Sequence, residues 1–576
     1  MSVGTARASD DVVDEAALDR ALEDLEAGAT RWATTPLPER AALLRRTHAA
    51  VAEHAEEWAL TAARVKGLDP ASPLVGEEWL SGPYAALTAL ARLASTLDVL
   101  AAGRSPLRGL SFHAAPGGRR AVDVLPLDRT ESLLLNGFRA EVWFPPGTTD
   151  QRAMLTAGLG ALRVGESGGV GLVLGAGNIT SIPPLDVLYE VVAHNRAAVL
   201  KLNPVLAELE GPFSRAFAPL VDAGLLRIVQ GGAAVGGFLA HHRLVAHVHI
   251  TGSVVSHDAI VWGTGEEAAE RKRAGTPLLE VPITSELGGA SPIIVVPGAW
   301  TDAELAFQAE HVATMRLHNG GYNCIAGQVL VVSADWPQRA AFLDAVRAAI
   351  AAAPPRPAWY PGSADRTAAA VAAYPEAERL GPDGGRVLVE VGSGDPHAIE
   401  TTECFAPVLG VVDVPGTGQA FLDAAVRLAN DDLVGTLGAN VLIRPEDRAA
   451  LGAGFGRAIA ALRYGTIAIN AWTGLGFLLA ATPWGAFPGG TLADAGSGIG
   501  VVHNALLIDG AERTVLHGPF RPFPASVLRG ERALSPRPPW FVTARTAATT
   551  GRLLTGFAGG RAPWLLPAAL ASAFRA

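Results

Sequence analysis

The chain has 576 residues, of which 49 % are hydrophobic and 18 % charged, with a formal net charge of −10. That length can bury more than one substantial core, so several domains are expected, and the acidic balance excludes a general nucleic-acid binder. The two cysteines cannot staple a chain of this size, which points to a reducing, cytoplasmic compartment.

The first thirty residues are acidic (Ser9-Asp10-Asp11, Asp14-Glu15, Glu23-Asp24) and lack an apolar signal core, so no secretion is expected. Val12, Ala16, Leu18, Leu22 and Leu25, then positions 41 through 63, recur at helical spacing, and Pro36 and Pro38 separate two amphipathic helices. Ala121 to Leu127 and Arg139 to Phe144 read as strands, the second stopped by Pro145-Pro146-Gly147. From residue 168 the rhythm is strand, turn, helix, strand. Gly169 to Leu174 is a short buried strand, Gly175-Ala176-Gly177-Asn178 a tight turn, Pro184 to His194 a helix and Ala197 to Lys201 the next strand. Leu226 to Val229 and Val245 to Ile250 continue the series, which predicts a parallel sheet covered by helices on both faces. A second α/β block is expected from about 290 to 480, with strands at 293–296, 329–332 and 408–412. No apolar run reaches the length of a membrane span.

Chemistry concentrates in two places. Cys324 ends the Gly/Asn-rich segment Asn319-Gly320-Gly321-Tyr322-Asn323, and Glu286 stands beside Leu287, Gly288 and Gly289. A thiol in such a turn can act as a nucleophile, and a nearby glutamate as general base for a thioester that water cleaves. Neither G-x-G-x-x-G nor a P-loop is present, and no metal-ligand pattern is found. Three strand ends carry small residues instead: Gly175 to Asn178, then Gly231 and Gly236, then Thr251-Gly252-Ser253. Together with Lys201, which ends its own strand, they describe a sheet edge on which a dinucleotide could lie.

These residues resemble the motifs of the aldehyde dehydrogenase superfamily, in order, from about 165 to 505. Asn178, Lys201, Ile250-Thr251-Gly252-Ser253, Glu286-Leu287-Gly288-Gly289, Cys324, Glu403-Cys404-Phe405-Ala406-Pro407, Ala468-Ile469-Asn470 and Pro483-Trp484-Gly485 carry the likeness. The resemblance implies an α/β fold with a Rossmann-type cofactor domain and an α/β catalytic domain. It implies Cys324 as nucleophile, Glu286 as base and Asn178 as oxyanion donor. The cofactor is expected to be NAD, with NADP open, held by Lys201, Gly231, Gly236, Thr251, Gly252, Ser253, Leu287, Gly288, Glu403 and Phe405. The family's glutamine before the nucleophile is Tyr322 here, its "F-G-P" glycine is Ala406, and Pro204 stands where a ribose-binding glutamate is common. For attack on an aldehyde, the Cys324 thiol is expected to have a lowered pKa.

The expected domains are 1–285 (helices and cofactor sheet, interrupted near 110–150), 286–480 (catalytic) and 481–576. The last region returns to the cofactor and oligomerisation region and ends in an extension after about 505. From 511 on, nine arginines face two acids, with Trp540, Phe541 and Trp564 among many prolines. This tail is read as an arm packed on a partner subunit, with a peripheral membrane anchor as the alternative. The resemblance implies a homodimer or homotetramer made by strand sharing. The expected substrate is a hydrophobic aldehyde, medium- or long-chain or aromatic, because Trp472, Phe477, Leu478 and Leu479 fall where the family lines its tunnel. A CoA-acylating aldehyde dehydrogenase, or acyl-CoA reductase, is the second reading, and a catalytically silent scaffold the third.

Overall fold

The computed structural model describes residues 13–395, 397–560 and 564–576. Ser9, the acidic Asp10 and Asp11, and the apolar Val12 lie outside the described residues. The amphipathic pattern becomes two helices, Glu15–Thr34 and Leu37–Val65. The Asp14 side chain caps the first by accepting from the Ala17 N–H, and Pro38 sits in the first turn of the second, where no intrahelical N–H is needed. Leu18, Leu22, Leu25 and Trp32 form the buried stripe, and the Trp32 indole donates to the Val191 carbonyl at 2.8 Å. A third helical run, Val75–Ala101, contains one turn of π-helix at Leu80–Tyr84. By length and composition it could cross a membrane, which the sequence reading did not anticipate. Its window is 56 % buried inside the protein, as a core helix would be.

Three antiparallel strands follow: β1 (Phe112–Ala115), β2 (Arg119–Leu125) and β3 (Arg139–Phe144). Then come β4 (Val170–Leu174), β5 (Ala197–Lys201), β6 (Leu226–Val229), β7 (Val245–Gly252) and β8 (Ile283–Leu287), all parallel, in the order β8-β7-β4-β5-β6. The chain direction across the sheet reverses between β4 and β7, the place where open α/β sheets bind ligands. Both faces are covered, so β4 and β5 are almost wholly apolar rather than alternating.

The second block supplies β9 (Ser291–Val295), β10 (Gly327–Ser333), β11 (Glu378–Leu380), β12 (Arg386–Glu390), β13 (Val408–Val414), β14 (Gly438–Leu442) and β15 (Thr466–Ile469). Two late strands return to earlier sheets. β16 (Gly498–Ile499) pairs with β8, and β17 (Arg513–His517) pairs with β15 on one side and β3 on the other. The large sheet therefore has eleven strands, in the order β1-β2-β3-β17-β15-β14-β9-β10-β13-β12-β11.

One expected boundary changes. The boundary at 285/286 falls inside β8, a cofactor-sheet strand, and the segment near 110–150 lies in the large sheet, where β3 pairs with β17. Within the chain the large sheet is continuous through β17. The extension packs against its own chain. Trp540, Phe541 and Val542 enter the catalytic core, and helix Ala547–Ala558 lies so close to Val75–Trp79 that a Cβ on Gly76 would meet the Ala547 carbonyl carbon at 2.4 Å. Arg521 ties the extension down by reaching Glu304 (2.5 Å), Glu446 (2.9 Å) and Glu531 (2.7 Å). Composition marked this tail as basic and apolar, but composition does not say which surface a segment covers.

Candidate active site

Parallel strands bring their carboxyl ends to one edge, so the expected rim assembles. Asn178 follows β4, Lys201 ends β5, Gly231 follows β6, Gly252 and Ser253 close β7, and Glu286 lies at the end of β8. Gly231 has a φ of +132°, open to glycine, and Gly236 packs in helix Ala233–Ala240 over Leu174. Lys201 is buried, and its carbonyl accepts from the Gly175 N–H at 3.1 Å. Ser253 caps helix Val254–Trp262 through the Ser256 N–H. Two expected cofactor residues turn inward. The Thr251 hydroxyl donates to Asp186 at 3.0 Å, and Leu287 is fully buried with its N–H bound to the Ser497 carbonyl. Both shape the rim from beneath.

Cys324 reaches this rim from the other sheet. Helix Asp302–Leu317 ends at Asn319, Gly320 and Gly321, which carry φ values of +54°, +72° and +81°. The chain then passes Tyr322 and Asn323 to the half-buried Cys324 before entering β10. Gly321 is required by crowding as well as by φ, because a Cβ there would lie 2.8 Å from the Arg316 guanidinium and 3.0 Å from the Ala406 carbonyl oxygen. Arg316 donates to the carbonyls of Gly321 (2.9 Å) and Ala406 (2.6 Å), joining the cysteine loop to the Glu403 loop. Asn178 is held against the same loop, with its Nδ2 donating to the Tyr322 carbonyl at 2.9 Å. One amide hydrogen of Asn178 is thus committed, and the other remains for a substrate oxygen.

Beneath the loop lies a buried charge cluster that motif reading missed. Lys66 Nζ donates to Glu78 at 2.9 Å and to Asn319 Oδ1 at 3.0 Å. Glu77 accepts from the Asn319 backbone N–H at 2.9 Å and also pairs with Arg356. Asn319 in turn donates to the carbonyls of Asn178 and Tyr322, both at 3.1 Å. Two cations and two carboxylates from distant segments therefore converge on the residue that orients both the nucleophile loop and Asn178. The scarcity of lysine, only three in the chain, was the one sequence signal at this position.

The electrostatics reverse one expectation. The Cys324 thiol is pushed well above its ordinary pKa, first by burial and then by the negative charges of Glu286 and Glu403. Both carboxyls favour the protonated thiol, Glu286 more than Glu403. Burial raises the Glu286 carboxyl to about 7, opposed by hydrogen bonds from Cys324 and from the Trp484 indole, which lies 3.2 Å from Oε1. A carboxyl near 7 is matched to proton transfer at neutral pH. Burial and repulsion from Glu286 raise Glu403 to about 8. Its Oε1 is sealed from solvent without a hydrogen-bond partner, and a Cβ on Gly288 would lie 1.9 Å from it. An orphaned carboxyl oxygen against a bare glycine fits a ligand that brings hydroxyl donors, as a nucleotide ribose does.

The departures from the family pattern are accommodated locally. The Tyr322 hydroxyl meets Ser363 Oγ at 2.7 Å, Ala406 is buried under Arg316, and Asn203 caps the turn opened by Pro204. Phe405, at a φ of +43°, packs its ring against Tyr322 and Tyr360. The second thiol, Cys404, is buried.

An apolar cavity of about 490 Å³ opens beside the thiol. Asn178, Cys324, Trp472, Phe477, Leu478 and Trp484 line it, with Trp540 from the extension. Of the residues expected around a tunnel, Leu479 alone misses this cavity and lines a neighbouring one.

This arrangement defines a nucleophilic-thiol centre at the ligand-binding edge of a dinucleotide-type sheet. Comparisons with known proteins agree. The model of the aldehyde dehydrogenase family matches residues 199–359. The chain is 40 % identical over 111 residues to 4-trimethylaminobutyraldehyde dehydrogenase of Mus musculus, a match covering 18 % of this chain and 19 % of that protein. It is 41 % identical over 76 residues to betaine aldehyde dehydrogenase of Brucella anthropi, covering 13 % of each. The match thus spans about a fifth or less of the length of these curated relatives. The fold is shared far more widely. A putative aldehyde dehydrogenase from Burkholderia cenocepacia superimposes with a TM-score of 0.55 at 22 % identity, covering 87 % of this chain and 91 % of that one. A mutant of aldehyde dehydrogenase C from Pseudomonas syringae, solved with NAD+ and octanal, gives 0.57 at 19 % identity, covering 87 % and 88 %.

Proposed function

We propose that this protein oxidises an apolar aldehyde to its carboxylic acid through a covalent intermediate on Cys324, using NAD. The observation that carries the reading is the Cys324 thiol lining an apolar cavity with Asn178 and Trp484, whose indole bonds the Glu286 carboxyl. Glu286 takes the thiol proton as Sγ attacks the aldehyde carbon. The free amide hydrogen of Asn178 and the Cys324 backbone N–H stabilise the oxyanion that develops, and removing one such donor typically costs about 3–4 kcal/mol. Lys201, the rim at Gly231 and Gly252, and Glu403 would hold the dinucleotide, which when bound would supply an acceptor for hydride from the substrate carbon. Glu286 then draws a proton from water as it attacks the Cys324 thioester, a general-base contribution of roughly 10² to 10⁴ in rate. Trp472, Phe477 and Leu478 favour an alkyl or aromatic substituent, in keeping with the octanal held by the Pseudomonas syringae neighbour.

The test is formation of reduced nicotinamide from NAD and octanal, with and without CoA, for the natural protein and Glu286→Ala. CoA-independent turnover that collapses to one slow turnover in the variant supports the reading. Turnover that requires CoA sinks it and moves the protein to the acylating class.

A further inference from the structure

A second cavity, of about 850 Å³, lies behind the first. The two share three wall residues, Leu80, Leu478 and Trp540. Much of the outer wall comes from the extension, between Pro519 and Trp540, and its far side from Leu134, Leu135 and Phe138. The polar side chains around it are largely spent inside the protein. Arg521 is held by three carboxylates, the Asn136 amide bonds the Leu133 carbonyl and the Leu534 N–H, and Ser535 donates to the Arg537 carbonyl at 2.5 Å. What the chamber mostly offers a ligand is hydrocarbon surface: its one lining cation, Arg521, is held by carboxylates, and the Tyr84 hydroxyl and one Asn136 amide hydrogen are the polar exceptions. Trp540 stands between the chambers with its indole N–H buried and unpartnered, so packing rather than a hydrogen bond keeps it there.

We propose that the outer chamber is a binding site for the distal part of a long alkyl chain, and that Trp540 is the partition a chain must pass to reach it. The inner cavity places the reacting carbon beside Cys324, and the extension supplies the room that determines how long a chain is accepted. The proposal rests on the aldehyde-oxidising reading and adds the substrate class to it: straight-chain aldehydes longer than octanal. It also gives the C-terminal extension a role in the catalytic unit.

Each methylene moved from water into such a chamber contributes a factor of about four in binding. For the natural protein, kcat/KM is therefore expected to keep rising from octanal through dodecanal to hexadecanal. Leu134→Trp, at a half-buried wall position remote from the thiol, should plug the outer chamber. It is expected to lower kcat/KM for hexadecanal at least tenfold while propanal and octanal stay within twofold. Ser535→Trp plugs the same chamber from the extension and should act alike, so a fold defect in one variant does not decide the matter; the short aldehydes report folding in both. Trp540→Ala, which joins the chambers, should flatten the discrimination between octanal and dodecanal. A chain-length profile that stops rising at octanal, or that is the same in the natural protein and both plugged variants, overturns the proposal.

Binding separates this outcome from failure of the reaction itself. Calorimetric titration with palmitate and octanoate should show tighter palmitate binding, lost in Leu134→Trp. If no aldehyde is oxidised yet palmitate binds with that dependence, the chamber stands and the aldehyde reading falls. If aldehydes are oxidised and palmitate gains nothing over octanoate, the chamber falls.

Discussion

Replacing Lys66 by methionine is expected to cost about 3–5 kcal/mol of unfolding free energy, the range for stripping one partner from a buried ion pair. Lys66 is wholly buried, and Glu78 is 1 % exposed at the side chain. Burial lowers the Lys66 pKa and Glu78 opposes the shift. Methionine preserves most of the stem, and the cavity contribution is small beside the charge left behind. The variant leaves Glu78 without its cation and Asn319 Oδ1 with only Arg356, at 3.4 Å. Urea unfolding followed by tryptophan fluorescence measures the loss, and a cycle with Glu78→Leu isolates the pair. The double variant should be more stable than Lys66→Met alone, because no uncompensated charge remains. A loss below about 1 kcal/mol for Lys66→Met, or a double variant as unstable as the two single losses summed, would refute the reasoning. A slower reaction of Cys324 with iodoacetamide in folded Lys66→Met would show that the cluster also sets the loop, since Asn319 bonds both Asn178 and Tyr322.

Three further outcomes follow from the raised ionisations. Iodoacetamide alkylation of Cys324 should have its pH midpoint above the ordinary thiol value, and Glu286→Gln should move it down, because the Glu286 charge is one cause of the rise; an unmoved midpoint would remove Glu286 from the thiol's surroundings. The aldehyde kcat/KM should rise with pH through about 7, since Glu286 acts as a base only when ionised, and Trp484→Phe should shift that midpoint upward by losing a bond that favours the carboxylate. That bond, at about 0.5–1.5 kcal/mol, corresponds to roughly half a unit to one unit. Glu403, raised to about 8 from an ordinary 4.5, favours folding fully while protonated in both states and loses that contribution as pH climbs from 4.5 past 8. Glu403→Gln should therefore raise Tm relative to the natural protein more at pH 9 than at pH 5, as scanning calorimetry can check; an equal effect at both would contradict the buried, ionising carboxyl.

Much of the cofactor sheet was legible because its strands carry a local signature. β5 and β3 match their expected bounds because a buried strand is an apolar run closed by charged residues or prolines. The rim was legible for the same reason, since a parallel sheet brings every strand end to one edge once the strands are known. Cys324 and Asn178 line one cavity, and Glu286 is bonded to Trp484, which lines it too. Illegible features depend on partners far apart in the chain. β17 pairs with β15 and β3, and the second of these contacts joins residue 513 to residue 143. Lys66 meets Asn319 across 253 residues, and no spacing rule links a lysine at a helix end to a turn that distant. The thiol pKa was misjudged for a related reason. A Gly/Asn turn suggests donors, but burial beside two carboxyls decides the sign, and burial belongs to the assembled fold. The same logic bears on the regions outside residues 199–359. The N-terminal helices contribute Lys66, Glu77 and Glu78 under the nucleophile loop, and the extension contributes Trp540 to the cavity wall. Both reach the centre from outside the matched segment, so variation in them should change how the loop is held and what the cavity admits, while the thiol, its base and the rim stay the same.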